Sequence, residues 1–266
     1  MRDTIKRMPL VATVQRKVVA TMLNGHEFIH TVDAGPARGL VFPIHMPEDK
    51  NVWTGTYENH FVSELVADVS DTSICFDIGG WRGYCGGALA ATGAAQVVIF
   101  EPLPANCDRI QRLIELNPKL PIHLVQAAVG ATDGRATLAL MSQTSMGKLE
   151  SSTFQETAHQ QDRIEVDLVS LDRWCEAHDL YPSIMKVDVE GAEVMVLQGA
   201  REVLAKSQPR LLVEAHSRDL AQQVAVLLEE IGYECHALET GQRPDGETGP
   251  DVSHLVCHVP ETAPAA

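Results

Sequence analysis

Apolar positions along this chain fall into two kinds of pattern. "SICFDIGG", "QVVIFEP", "PIHLVQAAVG", "SIMKVDV" and "PRLLVEAH" are short, nearly continuous apolar runs that end in glycine, proline or charge. Strands buried on both faces read that way. Between them lie segments with helical spacing. "PANCDRIQRLIELN" puts Ile110, Leu113 and Ile114 on one face, and "RDLAQQVAVLLEEIG", "LDRWCEAHD" and "GAEVMVLQGA" follow the same period. "YCGGALAATG" reads as a helix of small residues. Upstream, "YENHFVSELVADV" places Phe61, Leu65 and Val69 on one helical stripe, and "KVVATML" and "GLVFPIHMP" read as short strands. "RATLALM" and "RIEVDLVSL" alternate and predict an inserted antiparallel pair. "YECHALE" and "SHLVCHV" predict a closing strand pair.

Strands alternating with helices imply βαβ units, hence an α/β fold with a mostly parallel sheet. The expected division is a β-rich extension or lid over residues 1–57, a main domain over 58–260 and a disordered tail over 261–266. In such sheets ligands sit beyond the carboxyl ends of the strands. Every charged cluster of interest in this chain falls at such an end.

Composition narrows the function. At 266 residues and 45% hydrophobic content the chain can bury a real core. A formal charge of -15 repels phosphate backbones, which argues against nucleic acid as a general partner. Six cysteines without a C-x-x-C fit reduced thiols in a cytoplasmic protein. No apolar segment reaches the ~20 residues of a membrane span, and Arg16 and Lys17 interrupt any leader-like run.

The first glycine loop, "FDIGGWRGYCGG", sets Asp77 at a strand end before Gly79, Gly80 and Gly83. Glycines allow positive φ and close backbone approach to a ligand. The G-x-G-x-x-G spacing of a nicotinamide site fails, because position 78 is Ile, and Asp77 would repel a pyrophosphate. A cationic ligand suits Asp77 better, and S-adenosylmethionine carries an ammonium and a sulfonium. Glu101 ends the next strand, near the ~20-residue offset of a ribose-binding acid. Small residues at Ala127 and Ala128 leave room for a flat adenine, although packing on the next helix explains them equally well.

Together "FDIGGWRGYCG", "VVIFEPLPANCDRIQRLIELN", "AAVG", "SLDRW" and "IMKVDVEGAEVMVLQGA" resemble the FkbM family of S-adenosylmethionine-dependent methyltransferases, from about Gly55 to His216. The resemblance implies a class I methyltransferase fold, a seven-stranded sheet with helices on both faces and a reversed final strand. It also implies O-methylation of hydroxyls on sugars, polyketides or other secondary metabolites. Carried over by position, the cofactor site would include Asp77, Gly79, Gly83, Glu101, Pro102 and Asn106, with Glu58 closing over the methionine end and Asn117 supporting a helix exit. The chain departs from the family's D-x-G-A-N-x-G at Gly80 and Trp81. Residues 141–161 align with nothing in the family and are expected to form a mobile loop near the substrate.

"SIMKVDVEGAEVMVLQGA" brings Asp188, Glu190 and Glu193 close together. Glu193 reads as a first-turn helix residue, since helix N-termini favour negative charge. Asp188 is expected to orient the cofactor's methionine end or the acceptor. Glu190 is a candidate base, with Glu214 and His216 as competitors, His216 having a suitable intrinsic pKa. Lys186 is placed to neutralise one of these acids. Asp188, Glu190, Glu214 and His216 could also hold a divalent cation, but the preferred reading has no metal. In "HLVCH", His254 and His258 share a strand face while Cys257 points away, so a structural role is preferred there. A methyltransferase acting on nitrogen, and a protein that keeps the fold without turnover, are the competing readings. An exposed N-terminal hairpin could pair with a second copy.

Overall fold

The computed structural model describes residues 27–46, 49–54, 56–140, 147–149 and 163–260. Four apolar runs form the centre of the sheet: β3 (Ile74–Ile78), β4 (Gln96–Phe100), β10 (Ile184–Val187) and β11 (Arg210–Ala215). With β5 (Ile122–Val125), β12 (Glu234–Ala237) and β13 (Ser253–His258) they build one sheet of seven strands, in the order β12-β13-β11-β10-β3-β4-β5. The neighbours from β5 to β11 pair parallel, whereas β13 runs antiparallel to both β11 and β12. This is the class I methyltransferase sheet with its reversed last strand.

Alternation along the strands divides the core in two. Phe76, Ile78, Val98, Phe100, Met185, Val187, Leu211 and Val213 face one side of the sheet. They pack on α5 (Leu171–His178), α6 (Glu193–Gln198), α7 (Arg201–Ser207) and α8 (Arg218–Glu229). Cys75, Val97, Ile99, Ile184 and Leu212 face the other side, against α2 (Asn59–Val66), α3 (Tyr84–Thr92) and α4 (Pro104–Leu116). Asp77 and Lys186 share the parity of this second face and are register partners on β3 and β10.

Local sequence explains the elements around the site. Helix α3 is buried from Tyr84 to Ala90, and Gly86 has to be small there, since a Cβ would lie 2.5 Å from Ile99 Cδ1. Pro104 begins α4, where its missing N–H costs no helical bond. Ile110 and Leu113 of α4 are fully buried. Ser217 caps α8 by accepting from Leu220 N at 3.1 Å, which contributes about 1 kcal/mol.

The antiparallel hairpin β1 (Glu27–Thr31) and β2 (Val41–His45) joins the second face, where Leu40, Phe42 and Ile44 are buried in the same cluster as Leu89 and Leu113. A short helix, α1 (Lys50–Trp53), follows. The strands β6 (Ala128–Val129), β7 (Gly134–Leu140), β8 (Gly147–Leu149) and β9 (Arg163–Val169) form a third sheet in the order β6-β9-β7-β8, which contains the expected antiparallel pair as β7 and β9.

Some expectations change. "PIHLVQAAVG" is not one strand: β5 ends at Val125, and β6 (Ala128–Val129) belongs to the third sheet. "REVLAKS" forms a separate helix, α7, which its short amphipathic pattern did not announce. Within residues 141–161, expected as a mobile loop, the described residues Gly147–Leu149 form β8 and pair with β7. "KVVATML" and the tail over 261–266 lie outside the described residues. Among the described residues, no helix is long and apolar enough to cross a membrane.

Candidate active site

The carboxyl ends of β3, β4, β10 and β11 open on a cavity of about 280 Å³. Gly79 and Gly80 form its floor. Gly79 has φ 79°, and a Cβ on it would lie 1.8 Å from the Asp188 carbonyl oxygen, so the turn closes only with glycine. A Cβ on Gly80 would lie 2.1 Å from Ile99.

Glu101 lies at the wall where β4 ends and is almost fully buried. Trp81 N donates to its Oε2 at 2.8 Å, while Leu103 N at 2.9 Å and Asn106 Nδ2 at 3.2 Å donate to Oε1. Burial pushes the carboxyl up to about 7, against the pull of these hydrogen bonds. Pro102, Asn106 and Ala127 line the same end. Glu58 lines the opposite wall, its pKa raised by burial and by Glu214 and Asp188.

Two expected cofactor residues sit elsewhere. Asp77 is fully buried behind the loop, where its Oδ2 accepts from Gly86 N at 2.8 Å and its Oδ1 lies 3.2 Å from Lys186 Nζ. Its charge answers a lysine and a helix N–H rather than facing the cavity. Gly83 is the N-cap of α3 and packs on Leu113 and Ile110, away from the cavity wall.

Lys186 joins the two halves of the site. It donates to Gly79 O at 2.7 Å and lies 3.2 Å from both Asp77 and Asp188. Burial alone would lower its pKa, but the two carboxylates raise it well above the ordinary value. Asp188, Glu190 and Glu214 line the cavity beside it. Burial pushes both Asp188 and Glu190 upward, opposed by Lys186 at Asp188 and by His216 at Glu190.

His216 does not line the cavity. It stands behind these acids, with Nε2 at 3.3 Å from Glu190, 3.7 Å from Asp188 and 3.7 Å from Glu214. Its Nδ1 donates to Glu193 Oε1 at 2.8 Å. Burial would depress the imidazolium, but the Glu193 hydrogen bond and the surrounding carboxylates outweigh it and hold the pKa at about 9. A protonated imidazole has no lone pair. With Nδ1 on Glu193 and its pKa raised by the surrounding carboxylates, His216 stands as a positive partner to these acids, set behind the cavity wall.

Glu193, expected as a plain first-turn residue, is fully buried and anchors that imidazole. His254 is the register partner of Glu214 on β13, with Nε2 at 3.5 Å from Glu214 and Nδ1 at 2.5 Å from Glu239. Burial pushes the Glu214 carboxyl upward, but the His254 hydrogen bond and the His216 charge outweigh it and hold Glu214 below its ordinary value. His254 is thus separated from Cys257, which is buried opposite Cys235, and from the exposed His258. Among the described residues, Asp188, Glu214 and His216 bring ligand-type atoms within 4.8 Å of one another.

Sequence reasoning missed Tyr57 and Tyr84 as wall residues. Tyr57 stacks on Trp81 with ring centroids 5.7 Å apart and planes at 18°. The Arg82 guanidinium lies 4.1 Å over the Trp81 ring and pairs with buried Asp49, which fastens the loop to the segment after the hairpin. Among the described residues, five non-glycine residues have positive φ, and two of them, Asp179 and Gln208, cap helix C-termini. The others, Glu58, Trp81 and Glu190, all line the cavity. Positive φ at such residues is rare and concentrates at functional sites.

The site fits S-adenosylmethionine. Glu101 stands at a strand end where it could accept from a ribose diol, the wall carboxylates Asp188, Glu190 and Glu214 suit a ligand with positive charge, and the buried Tyr84 hydroxyl and Trp81 Nε1 lack protein partners. The model of the methyltransferase FkbM domain matches residues 77–235, more than half of the chain. No curated protein matches it. Among solved structures, the methyltransferase FkbM from Methylobacillus flagellatus KT is 18% identical over 70% of this chain, with a TM-score of 0.47. This chain spans 44% of the length of that protein. A precorrin-6y C5,15-methyltransferase from Geobacter metallireducens GS-15 is 12% identical, covering 76% of this chain and 87% of its own, with a TM-score of 0.45. TYW2 from M. jannaschii, solved in complex with AdoMet, is 12% identical over 87% of this chain and 84% of its own, with a TM-score of 0.44. The chain belongs to the FkbM methyltransferase family.

Proposed function

We propose that the enzyme transfers the methyl group to a hydroxyl of a small molecule such as a sugar, a polyketide or another secondary metabolite. The observation that carries this reading is the pair of raised carboxyls, Asp188 and Glu190, on the cavity wall at the end of β10. A hydroxyl nucleophile must lose its proton during transfer, and a carboxyl raised by burial is suited to take it.

Glu190 is the base in this reading. Asp188 is held by Lys186 at 3.2 Å and orients the reactants. His216 sets a positive charge beside these acids and opposes the effect of burial on them. Glu214, held below its ordinary pKa, is the weaker base. Of the residues lining the cavity, Gly79, Gly80, Glu101, Pro102, Asn106 and Ala127 would hold the adenosine end and Glu58 the methionine end. Bound S-adenosylmethionine supplies an electrophilic methyl carbon on a sulfonium. Glu190 would take the proton of the acceptor hydroxyl, freeing its oxygen to receive the methyl group that the cofactor would supply. Alignment of donor and acceptor in the cavity would add to the acceleration.

The test is a screen of hydroxylated acceptors, read by S-adenosylhomocysteine release and by the mass and position of the new methyl group. An O-methyl product, with turnover falling about 100-fold or more in Glu190→Gln at unchanged S-adenosylhomocysteine affinity, supports the reading. A methyl group on nitrogen, or full turnover in Glu190→Gln, overturns it.

A further inference from the structure

The acceptor and the sulfonium account for the acids of this cavity, but the cofactor also carries a carboxylate. Its side-chain surroundings are hostile to one. Glu58, Glu101, Asp188, Glu190 and Glu214 all line the wall. The basic residue among the lining set, Lys186, has three N–H donors, and three groups already face it: Gly79 O, Asp77 and Asp188. An anion entering here needs other donors.

Two are present. Tyr84 is 2% exposed and lines the cavity, and its hydroxyl has no hydrogen-bond partner. Trp81 lines the same cavity, and its indole Nε1, also shielded from solvent, has no partner either. Buried donors in native proteins are almost always paired, so two orphans on one wall point to an absent acceptor. Both belong to the turn that opens α3, whose N-cap is Gly83. A helix of nine residues begins there, and its N-terminus attracts negative charge. The rings are held in place for this role. Tyr57 stacks on Trp81 and meets Tyr84 edge-on at 5.1 Å, while Arg82 covers the Trp81 ring. The positive φ of Trp81, 49°, is what lets its backbone N–H serve Glu101 while its indole joins the cavity wall.

We propose that the Tyr84 hydroxyl and the Trp81 indole N–H form the subsite for the α-carboxylate of the cofactor's methionine end. Trp81 thus stands, with its own side-chain donor, where the asparagine is usual in this loop. The inference rests on the cofactor occupying this cavity.

Calorimetric titration with S-adenosylhomocysteine and with 5′-methylthioadenosine tests it, because the second ligand keeps the nucleoside and lacks the amino-acid portion. Tyr84→Phe and Trp81→Phe each remove one donor and keep the aromatic ring. Each is expected to weaken S-adenosylhomocysteine binding about tenfold and to leave 5′-methylthioadenosine binding unchanged. Without ligand, Tyr84→Phe should melt at the same temperature as wild type or higher, because it deletes a buried hydroxyl with no partner. Equal losses for both ligands, unchanged S-adenosylhomocysteine affinity, or a lowered melting temperature in ligand-free Tyr84→Phe would each overturn the proposal. Wild-type protein that binds neither ligand would instead remove the cavity as the cofactor site, and the subsite with it.

Discussion

His216 Nδ1 donates to Glu193 Oε1 at 2.8 Å, and Glu193 is fully buried at the start of α6. The pair fixes which way the imidazole faces, so Nε2 looks at Glu190, Asp188 and Glu214. It also makes the fold sensitive to alkali. The folded pKa of His216, about 9, lies above the ordinary 6.5. The stabilisation is therefore fully present below pH 6.5 and is lost as pH rises through about 9. A shift of that size corresponds to ~3 kcal/mol. Glu193→Gln is expected to lower the His216 pKa, read from its imidazole proton resonances, and to flatten the stability curve across that window. A His216 titration unchanged in the variant would remove Glu193 from the account.

Glu101 gives cofactor affinity its own pH dependence. Burial holds its carboxyl at about 7, and a ribose diol donates to the ionised form. Between pH 6 and pH 8 the ionised fraction rises roughly tenfold, so S-adenosylhomocysteine affinity should rise by about the same factor. Glu101→Gln should bind weakly and show no such slope. A steep slope that persists in Glu101→Gln would assign the titration to another group.

How much of this was visible in the chain depends on the range of the interaction. The βα order was legible because strands buried on both faces are continuous apolar runs, and each ended where a charge or glycine stood. Glu101, Asp188 and Glu190 could be placed at strand ends for the same reason. Which strands adjoin is not printed in the chain. Asp77 and Lys186 are register partners although 109 residues apart, so Asp77 looked like a ligand contact when it is a lysine's counter-ion. Glu214 and His254 meet by the same cross-strand route. Glu193 looked like a helix-start residue because its partner, His216, arrives from a different strand. Tyr84 lies inside the glycine loop that carried the resemblance, yet nothing in the spacing marked it or Tyr57 as cavity wall, since aromatics near a helix start read as core.

Divalent metal should be dispensable for turnover. Asp188, Glu214 and His216 are close enough to share a cation, yet a proton held at a pKa of about 9 competes for the imidazole, and Lys186 stands 3.2 Å from Asp188. Dialysis against a chelator is expected to leave both turnover and melting temperature unchanged. Turnover that falls with chelation and returns with added Mg²⁺ would mean that the cation displaces the His216 proton.

Glu190 sets stability against activity at one position. Its φ is 53°, a left-handed conformation that costs a residue with a Cβ on the order of 1–2 kcal/mol. Glycine adopts it freely but adds unfolded-state entropy of about 0.5–1 kcal/mol. The side chain also faces His216 at 3.3 Å, so removing it loses an ion pair while relieving repulsion from Asp188 and Glu214. Glu190→Gly is therefore expected to be more stable than Glu190→Gln by about 1 kcal/mol, because the two variants lose the same charge and differ in backbone strain. Both should lose turnover about 100-fold or more, since neither can take the acceptor's proton. Denaturant melts of the two proteins, run beside acceptor assays, separate the effects. Equal stability in the two variants would mean that the turn tolerates a side chain there without strain, leaving the carboxylate alone to account for a glutamate at this corner.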